Sequence, residues 1–251
     1  MFRPRVIPVL LLKNGGLVKS VGFKDHRYVG DPINAVRIFN ELKADELSFL
    51  DIGATREDRL ISLDFVRDVG EEAQMPFSVG GGIRTLEDIR TVIAAGAEKV
   101  VIGSEAARDP TFVSRAAEAF GSSTIVVCID VKRSLFKGQR VWSVNATRPS
   151  NVTPLEFAQM SAENGAGEII IQSITRDGTM EGYDCDLIRS VADAVEVPVI
   201  ALGGAGSRKD LISAYKEGHA NALGAGSIFV YKDRKRGVLI NYPAKDELRF
   251  L

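Results

Sequence analysis

The sequence predicts one α/β domain over residues 1–251, a (β/α)₈ barrel of the TIM type built from two related half-barrels. Three observations predict it. Short apolar runs alternate with longer stretches of helical period, which is the pattern of a parallel sheet covered by helices. There are eight such runs, enough for the sheet to close on itself, and 251 residues is the usual length of such a barrel. The two halves of the chain also echo one another, which two unrelated small domains would not do.

The eight strands are expected at residues 6–12, 46–51, 77–80, 99–103, 124–130, 168–172, 199–202 and 222–224. Helices fall between them. One is expected over 33–42, after the Asp31-Pro32 start. A second covers 86–95 with Thr85 as its N-cap, and a third runs over 154–164 and ends at Gly165. The eighth helix is the weakest, because 243–251 is short and follows an irregular stretch. The internal echo is specific. Val79-Gly-Gly-Gly82 precedes a helix leading to Gly103-Ser104, and Leu202-Gly-Gly-Ala205 precedes a helix leading to Gly226-Ser227. Leu11-Leu-Lys13 corresponds to Asp130-Val-Lys132, and each is followed by a stretch that reads as a hairpin.

Composition excludes several function classes. A formal charge of −1 with 45% apolar residues leaves no basic stripe for nucleic acid. No apolar run approaches the roughly 20 residues needed to span a bilayer, and the N-terminus lacks the order of a signal peptide, so a cytoplasmic protein is expected. Cys128 and Cys185 offer neither metal-ligand spacing nor an obvious disulfide and read as structural. His26 and His219 have no partner at ligand spacing, so no metal and no cofactor is expected.

The glycine turns carry the first functional signal. Gly81 and Gly82, and likewise Gly203 and Gly204, sit where the third and seventh strands should end, each ahead of a helix opened by Thr85 or Ser207. Glycine lets backbone N–H groups approach an anion, and a helix N-terminus adds partial positive charge. Gly103-Ser104 and Gly226-Ser227 complete each cradle with further N–H and hydroxyl donors. Two phosphate sites are therefore expected on opposite sides of one barrel mouth.

The residues Arg5-Val-Ile-Pro8, Gly30-Asp-Pro32, Ala44-Asp-Glu-Leu-Ser-Phe-Leu-Asp-Ile52, Val79-Gly-Gly-Gly-Ile-Arg84, Cys128-Ile-Asp-Val-Lys132, Arg176-Asp-Gly-Thr179, Gly182-Tyr-Asp184 and Gly203-Gly-Ala-Gly206 resemble, in order, the cyclase subunit (HisF) family of imidazole glycerol phosphate synthase. The resemblance runs from about residue 3 to residue 229. It implies a partner, a HisH-like glutaminase subunit at the N-terminal face of the barrel, whose ammonia passes through the barrel to a ribulosyl aminoimidazole carboxamide ribotide bearing two phosphates. In the family, two aspartates ending the first and fifth strands act as general acid and base, a role that needs carboxyl groups within reach of the reacting atoms. Asp130 matches the fifth-strand position, whereas Leu11 stands at the first-strand position and cannot move a proton. Gly103, Gln172 and Leu202 stand where the family has Asn, Thr and Ser.

The resemblance further implies that Arg5, Glu46, Lys99 and Glu168, at the starts of strands one, two, four and six, form a charged gate for ammonia. Lys19, Asp51 and Asp177, with Gly178 beside the last, match mouth residues that hold substrate or position the loop after the first strand. Solvated strand ends, a loop lysine and a turn aspartate are the plainer accounts of the same residues. Together these features point to a HisF-like paralogue that passes ammonia to another acceptor, a phosphorylated small molecule or a downstream amidotransferase, with surface-sugar (lipopolysaccharide) biosynthesis as one setting. The alternatives are an authentic lyase of histidine biosynthesis working with Asp130, and a non-catalytic scaffold that activates the glutaminase.

Overall fold

Runs of Val, Ile and Leu prefer extended backbone, because their branched side chains pack well on a pleated surface. In the computed structural model, which describes residues 3–134, 138–144, 147–233, 235–244 and 247–248, the eight predicted runs form parallel strands. They are β1 (Arg5–Lys13), β2 (Leu47–Asp51), β3 (Phe77–Gly80), β4 (Lys99–Ile102), β5 (Ile125–Ser134), β6 (Glu168–Ser173), β7 (Val199–Leu202) and β8 (Ala222–Ala225). Each pairs with the next in the chain and β8 pairs with β1, so the barrel closes with no free edge.

The strand ends differ slightly from expectation, for local reasons. Glu46 precedes the β2 ladder, and Gly103 leaves β4 to become the N-cap of a helix. β1 and β5 run on past the barrel because each continues into an antiparallel hairpin, with arms Gly16–Val21 and Lys24–Gly30 after β1 and arm Gly138–Ser143 after β5. Both expected hairpins are therefore present, at equivalent places in the two halves.

The helices are α1 (Pro32–Glu41), α2 (Leu63–Glu72), α3 (Leu86–Ala94), α4 (Ser104–Arg108), α5 (Thr111–Phe120), α6 (Pro154–Glu163), α7 (Cys185–Ala192), α8 (Arg208–Lys216) and α9 (Ser227–Val230). Asp31 caps α1 by accepting a hydrogen bond from Asn34 N at 2.8 Å, with Pro32 at the first helical position. The short helices α4 and α9 follow β4 and β8 at the Gly-Ser pairs, another duplicated feature. Among the described residues no helix is long and apolar enough to cross a membrane.

Two apolar layers result. Between sheet and helices lies the larger core, with Phe39, Phe49, Phe112 and Phe229 fully buried. Inside the barrel, Ile7, Val9, Val101, Val126, Ile170, Ile200, Leu202 and Ala222 fill the lumen. Of the stretch 243–251, where the weak eighth helix is expected, residues 245, 246 and 249–251 lie outside the described residues, and the residues just before it form a strap. Leu239 N donates to Val230 O and Asn241 N to Phe229 O, each at 2.9 Å. Tyr242 then packs edge-on against Phe39, donates its hydroxyl to Val6 O at 3.0 Å and accepts from Asp45 N at 3.2 Å.

Tyr242→Phe keeps the ring packing and leaves two buried backbone groups short of a partner. It should cost about 1–2 kcal/mol, read as a fall in melting temperature of about 2–4 °C per kcal/mol for a domain of this size. Val238→Ala, at a side chain 48% exposed, should change the melt little. Equal melting of Tyr242→Phe and the unaltered protein would show that the strap does not brace β1.

Candidate functional site

At the C-terminal ends of the strands a cavity of about 1030 Å³ opens between the two hairpins. Asp51, Gly81, Gly82, Gly103, Ser104 and Asp130 line it, together with Leu11, Cys128 and Gln172. A second, far smaller recess of about 20 Å³ is lined by Lys19, Asp177, Gly178, Gly203, Gly204, Gly226 and Ser227, and it shares Leu11 and Gln172 with the first. The expected mouth residues are thus brought together, in two groups either side of a common centre.

The glycines are required by geometry. Gly82 has φ +72° and Gly204 φ +111°, in the region that L side chains avoid, and a Cβ at either would run into a carbonyl oxygen, of Arg59 and of Gly182 respectively. One expectation is corrected. The N-termini of α3 and α8 are not open to an anion, because each is closed by its own carboxylate. Asp88 accepts from Arg84 N and Thr85 N at 2.9 and 2.8 Å, and Asp210 accepts from Gly206 N and Ser207 N at 2.9 and 2.7 Å. Opposite them, α4 and α9 begin at Ser104 and Ser227 with no side-chain cap. In each half, the residues that open the short helix line the same recess as the glycine turn.

Asp130 ends the inward-facing row of β5. Its neighbours across the sheet are Gln172 on β6 and, one strand further, Leu202 on β7. Cys128 lies one step deeper, with Sγ 3.8 Å from Asp130 Oδ1 and 3.9 Å from Gln172 Oε1. Burial pushes the Asp130 carboxyl up to about 7, the weak thiol contact opposes this, and the charge of Asp177 adds to it. The Cys128 thiol is pushed well above its usual range by burial and by Asp130, which makes it a poor nucleophile. Leu11, 7% exposed, supplies apolar surface to both recesses.

Lys19 and Asp177 belong together. Lys19 is 6% exposed, so it is no solvated loop lysine. Its ammonium donates to Val9 O at 3.0 Å and packs against Gly226, where a Cβ would meet Nζ. Burial lowers its pKa to about 8, with Asp177 opposing the shift. Asp177 accepts from Ser20 Oγ at 2.8 Å, while its carbonyl accepts from Gly22 N at 3.0 Å, so this turn holds the first hairpin over the barrel. Asp51 is satisfied within the chain. It accepts from Gly53 N and Ala54 N at 2.9 and 3.1 Å and from Arg59 at 2.6 Å.

At the opposite end, Arg5, Glu46, Lys99 and Glu168 meet as a ring. Arg5 bonds Glu46 and, at 2.7 Å, Glu168, and Lys99 Nζ lies 3.2 Å from a carboxylate oxygen of each. Every cation contacts both acids, and Glu46 is only 4% exposed at its side chain. One oxygen of Glu168 is buried with no hydrogen-bond partner.

Sequence reasoning missed Arg59, which clamps Asp51 from eight residues away, and the mouth residues Lys13, His26, Arg84, Arg108 and Arg148. None falls in an apolar period; only a basic side chain in the connection between a barrel strand and the next long helix marked them. Among the described residues no group of His, Cys, Asp and Glu is arranged to hold a metal.

Because its folded-state pKa is raised, Asp130 favours the folded protein only while protonated, and that contribution is lost as pH rises from the unfolded value near 4 through about 7. Asp130→Asn should therefore stabilise the protein at pH 8, by up to about 4 kcal/mol, with the advantage closing toward pH 4. Thermal melts across that range check it, and a pH-independent gap would mean that the carboxyl is not desolvated.

The model of the histidine biosynthesis protein family matches residues 5–235 of the chain. A protein of Pseudomonas aeruginosa named "Putative imidazole glycerol phosphate synthase subunit hisF2" is 47% identical over 248 residues, covering 99% of both chains. Proteins of Leptospira interrogans and Vibrio vulnificus bear the same description, as HisF and hisF3. Each is 42% identical over 98% of this chain, covering 98% and 95% of their own lengths. With its closed (β/α)₈ barrel and near full-length identity to these relatives, the chain belongs to the histidine biosynthesis protein family, as a HisF-like member.

Proposed function

We propose that the chain is the HisF-type subunit of a glutamine amidotransferase complex. It takes ammonia from a HisH-like glutaminase at the floor of the barrel and delivers it at the mouth to an acceptor other than the bis-phosphorylated ribotide of histidine biosynthesis. The observation that carries this reading is a contrast between the two ends of one barrel. The four-charge floor is complete, while of the two strand-end positions that the resemblance makes acid and base only one, Asp130, carries a carboxyl, and the other holds Leu11. A ring in which each cation touches both acids is neutral overall, so it repels no uncharged ammonia molecule. The lumen above it is lined mainly by apolar side chains, with the buried residues Ser48 and Ser78 on the same inward rows, so it offers little to a hydrated ion. At the mouth, the uncapped starts of α4 and α9 beside the glycine turns support recognition of phosphate on the acceptor, and surface-sugar amidation is a reaction class that fits. Arg5, Glu46, Lys99 and Glu168 act here as gate, Asp51 and Asp177 as holders of the mouth loops, and Asp130 as the group that moves a proton.

A second reading has its own support. A carboxyl poised near neutrality suits general acid and base work, so an authentic cyclase using Asp130 alone is the competing account. Cyclisation of the ribotide with ammonium salt separates the two. Turnover should be about 10²–10⁴-fold below that of a cyclase with both carboxylates, and Leu11→Asp should recover part of it. Full turnover by the unaltered protein would refute the proposal.

The floor is tested through coupling. Lys99→Ala removes one bridge between Glu46 and Glu168 while Arg5 keeps the other, and the barrel remains held by its ladders. Glutamate release by the glutaminase should persist, glutamine-dependent amination of the acceptor should fall several-fold, and ammonium salt should restore it. An unchanged ratio of glutamate to aminated product would favour a scaffold that only activates the glutaminase.

A further inference from the structure

Where the lumen opens into the cavity of about 1030 Å³, the inward rows of β5 and β6 end on two polar side chains, Asp130 and Gln172, which are cross-strand neighbours in the parallel ladder. Around them the collar is apolar, with Leu11, Leu50, Val101 and Leu202 on the other strands. Gln172 is only 4% exposed and borders both recesses. A carboxamide held in such surroundings needs a hydrogen-bond partner.

The chain supplies almost none. Gln172 Oε1 lies 3.9 Å from Cys128 Sγ, the same sulfur lies 3.8 Å from Asp130 Oδ1, and neither side chain has another hydrogen bond or an ion pair among the described residues. A thiol has one proton and is a weak donor, so it serves only one of the two oxygens at a time. The other oxygen is left facing the cavity with nothing to accept from. Two acceptor oxygens and a sulfur converging on one spot suit a small ligand rich in N–H groups, whereas an anion there would meet lone pairs.

We infer that Asp130 and Gln172 form a seat for ammonia at the exit of the lumen, Asp130 meeting its lone pair and Gln172 Oε1 one of its N–H groups. This rests on the reading of the barrel as an ammonia conduit and deepens it by naming the residues at which ammonia halts. Protonated Asp130 passes its proton to the ammonia nitrogen. The O–H bond breaks as the fourth N–H bond forms, and ammonium is left against the carboxylate and the carboxamide oxygen. When ammonia moves on, that N–H bond breaks and the proton returns to Asp130, so the seat ends as it began. A carboxyl titrating at about 7 has both forms available near neutrality. The apolar collar disfavours hydrated ions, and the neutral carboxamide adds an acceptor without a second charge, which keeps the hold loose.

The test follows the Asp130 carboxyl carbon by carbon-13 magnetic resonance in the full chain, its signal identified by its loss in Asp130→Asn. The pH titration is run in ammonium chloride and, at equal ionic strength, in potassium chloride and in tetramethylammonium chloride. Ammonium at about 100 mM should lower the Asp130 midpoint by about half a pH unit relative to tetramethylammonium, the displacement produced by binding to the carboxylate form with a Kd of about 50 mM. Gln172→Leu keeps the bulk and removes the carboxamide, so the two midpoints should come together; Gln172→Met takes its place if circular dichroism shows that Gln172→Leu does not fold. Equal midpoints in ammonium and tetramethylammonium with the unaltered protein would overturn the inference. So would an equal fall in potassium, which would mark a general cation site, or a fall that survives loss of the carboxamide. The Lys99→Ala coupling assay reports on passage of ammonia whatever the outcome here, so failure of the seat and failure of the conduit are read separately.

Discussion

Side chains alternate along a strand, and in a closed barrel that alternation ties the floor to the mouth. On β1 the inward row is Arg5, Ile7, Val9 and Leu11, and on β6 it is Glu168, Ile170 and Gln172. A residue at the mouth is therefore fixed in register by the charged residue two or three steps below it. A one-residue slip in any strand would turn its floor charge into the outer core. The ring of Arg5, Glu46, Lys99 and Glu168 can be assembled only when four strands from distant parts of the sequence share one level. Once assembled, its charges are costly to separate, because Glu46 is buried and depends on both cations.

The same constraint explains why duplication is visible in the turns rather than in the strands. Strand interiors tolerate any well-packed apolar residue, so Val, Ile and Leu have interchanged freely between the halves. Gly82 and Gly204 have no such freedom, since each holds a left-handed conformation beneath a carbonyl oxygen. Asp88 and Asp210 likewise close the helices that follow, in equivalent capping boxes. The short helices α4 and α9, by contrast, begin without a side-chain cap in either half.

This sets what could be read from the sequence. The barrel, its eight strands, both hairpins and the glycine turns were legible because each leaves a short-range mark: an apolar period, a capping residue, or a Gly where φ must be positive. The floor and the mouth residues became visible through the resemblance alone, since a Lys at position 99 or an Asp at 130 has no local signature. Arg59 on Asp51, Tyr242 beneath β1 and the burial of Lys19 were not legible, because each depends on a contact that the sequence does not space periodically. A lysine on a hairpin arm reads as solvated until the fold places it over a recess.

The change at position 11 has a consequence for the charge of the mouth. Two carboxyls facing each other across a narrow opening would repel, and one of them would stay protonated. With Leu11 in place, Asp130 meets no such neighbour at close range, and its raised pKa comes from burial first and only then from the charge of Asp177. Near neutrality it therefore carries only part of a negative charge. A fully ionised pair would hold ammonium tightly by Coulomb attraction in a site of low dielectric. A single, partly protonated carboxyl holds it weakly. For an enzyme that consumes ammonia on the spot, losing one carboxylate removes an essential proton carrier. For the proposed conduit, which would release ammonia to another acceptor, the same loss would lower the trap at the exit, so an intact floor and a depleted mouth are compatible in one barrel.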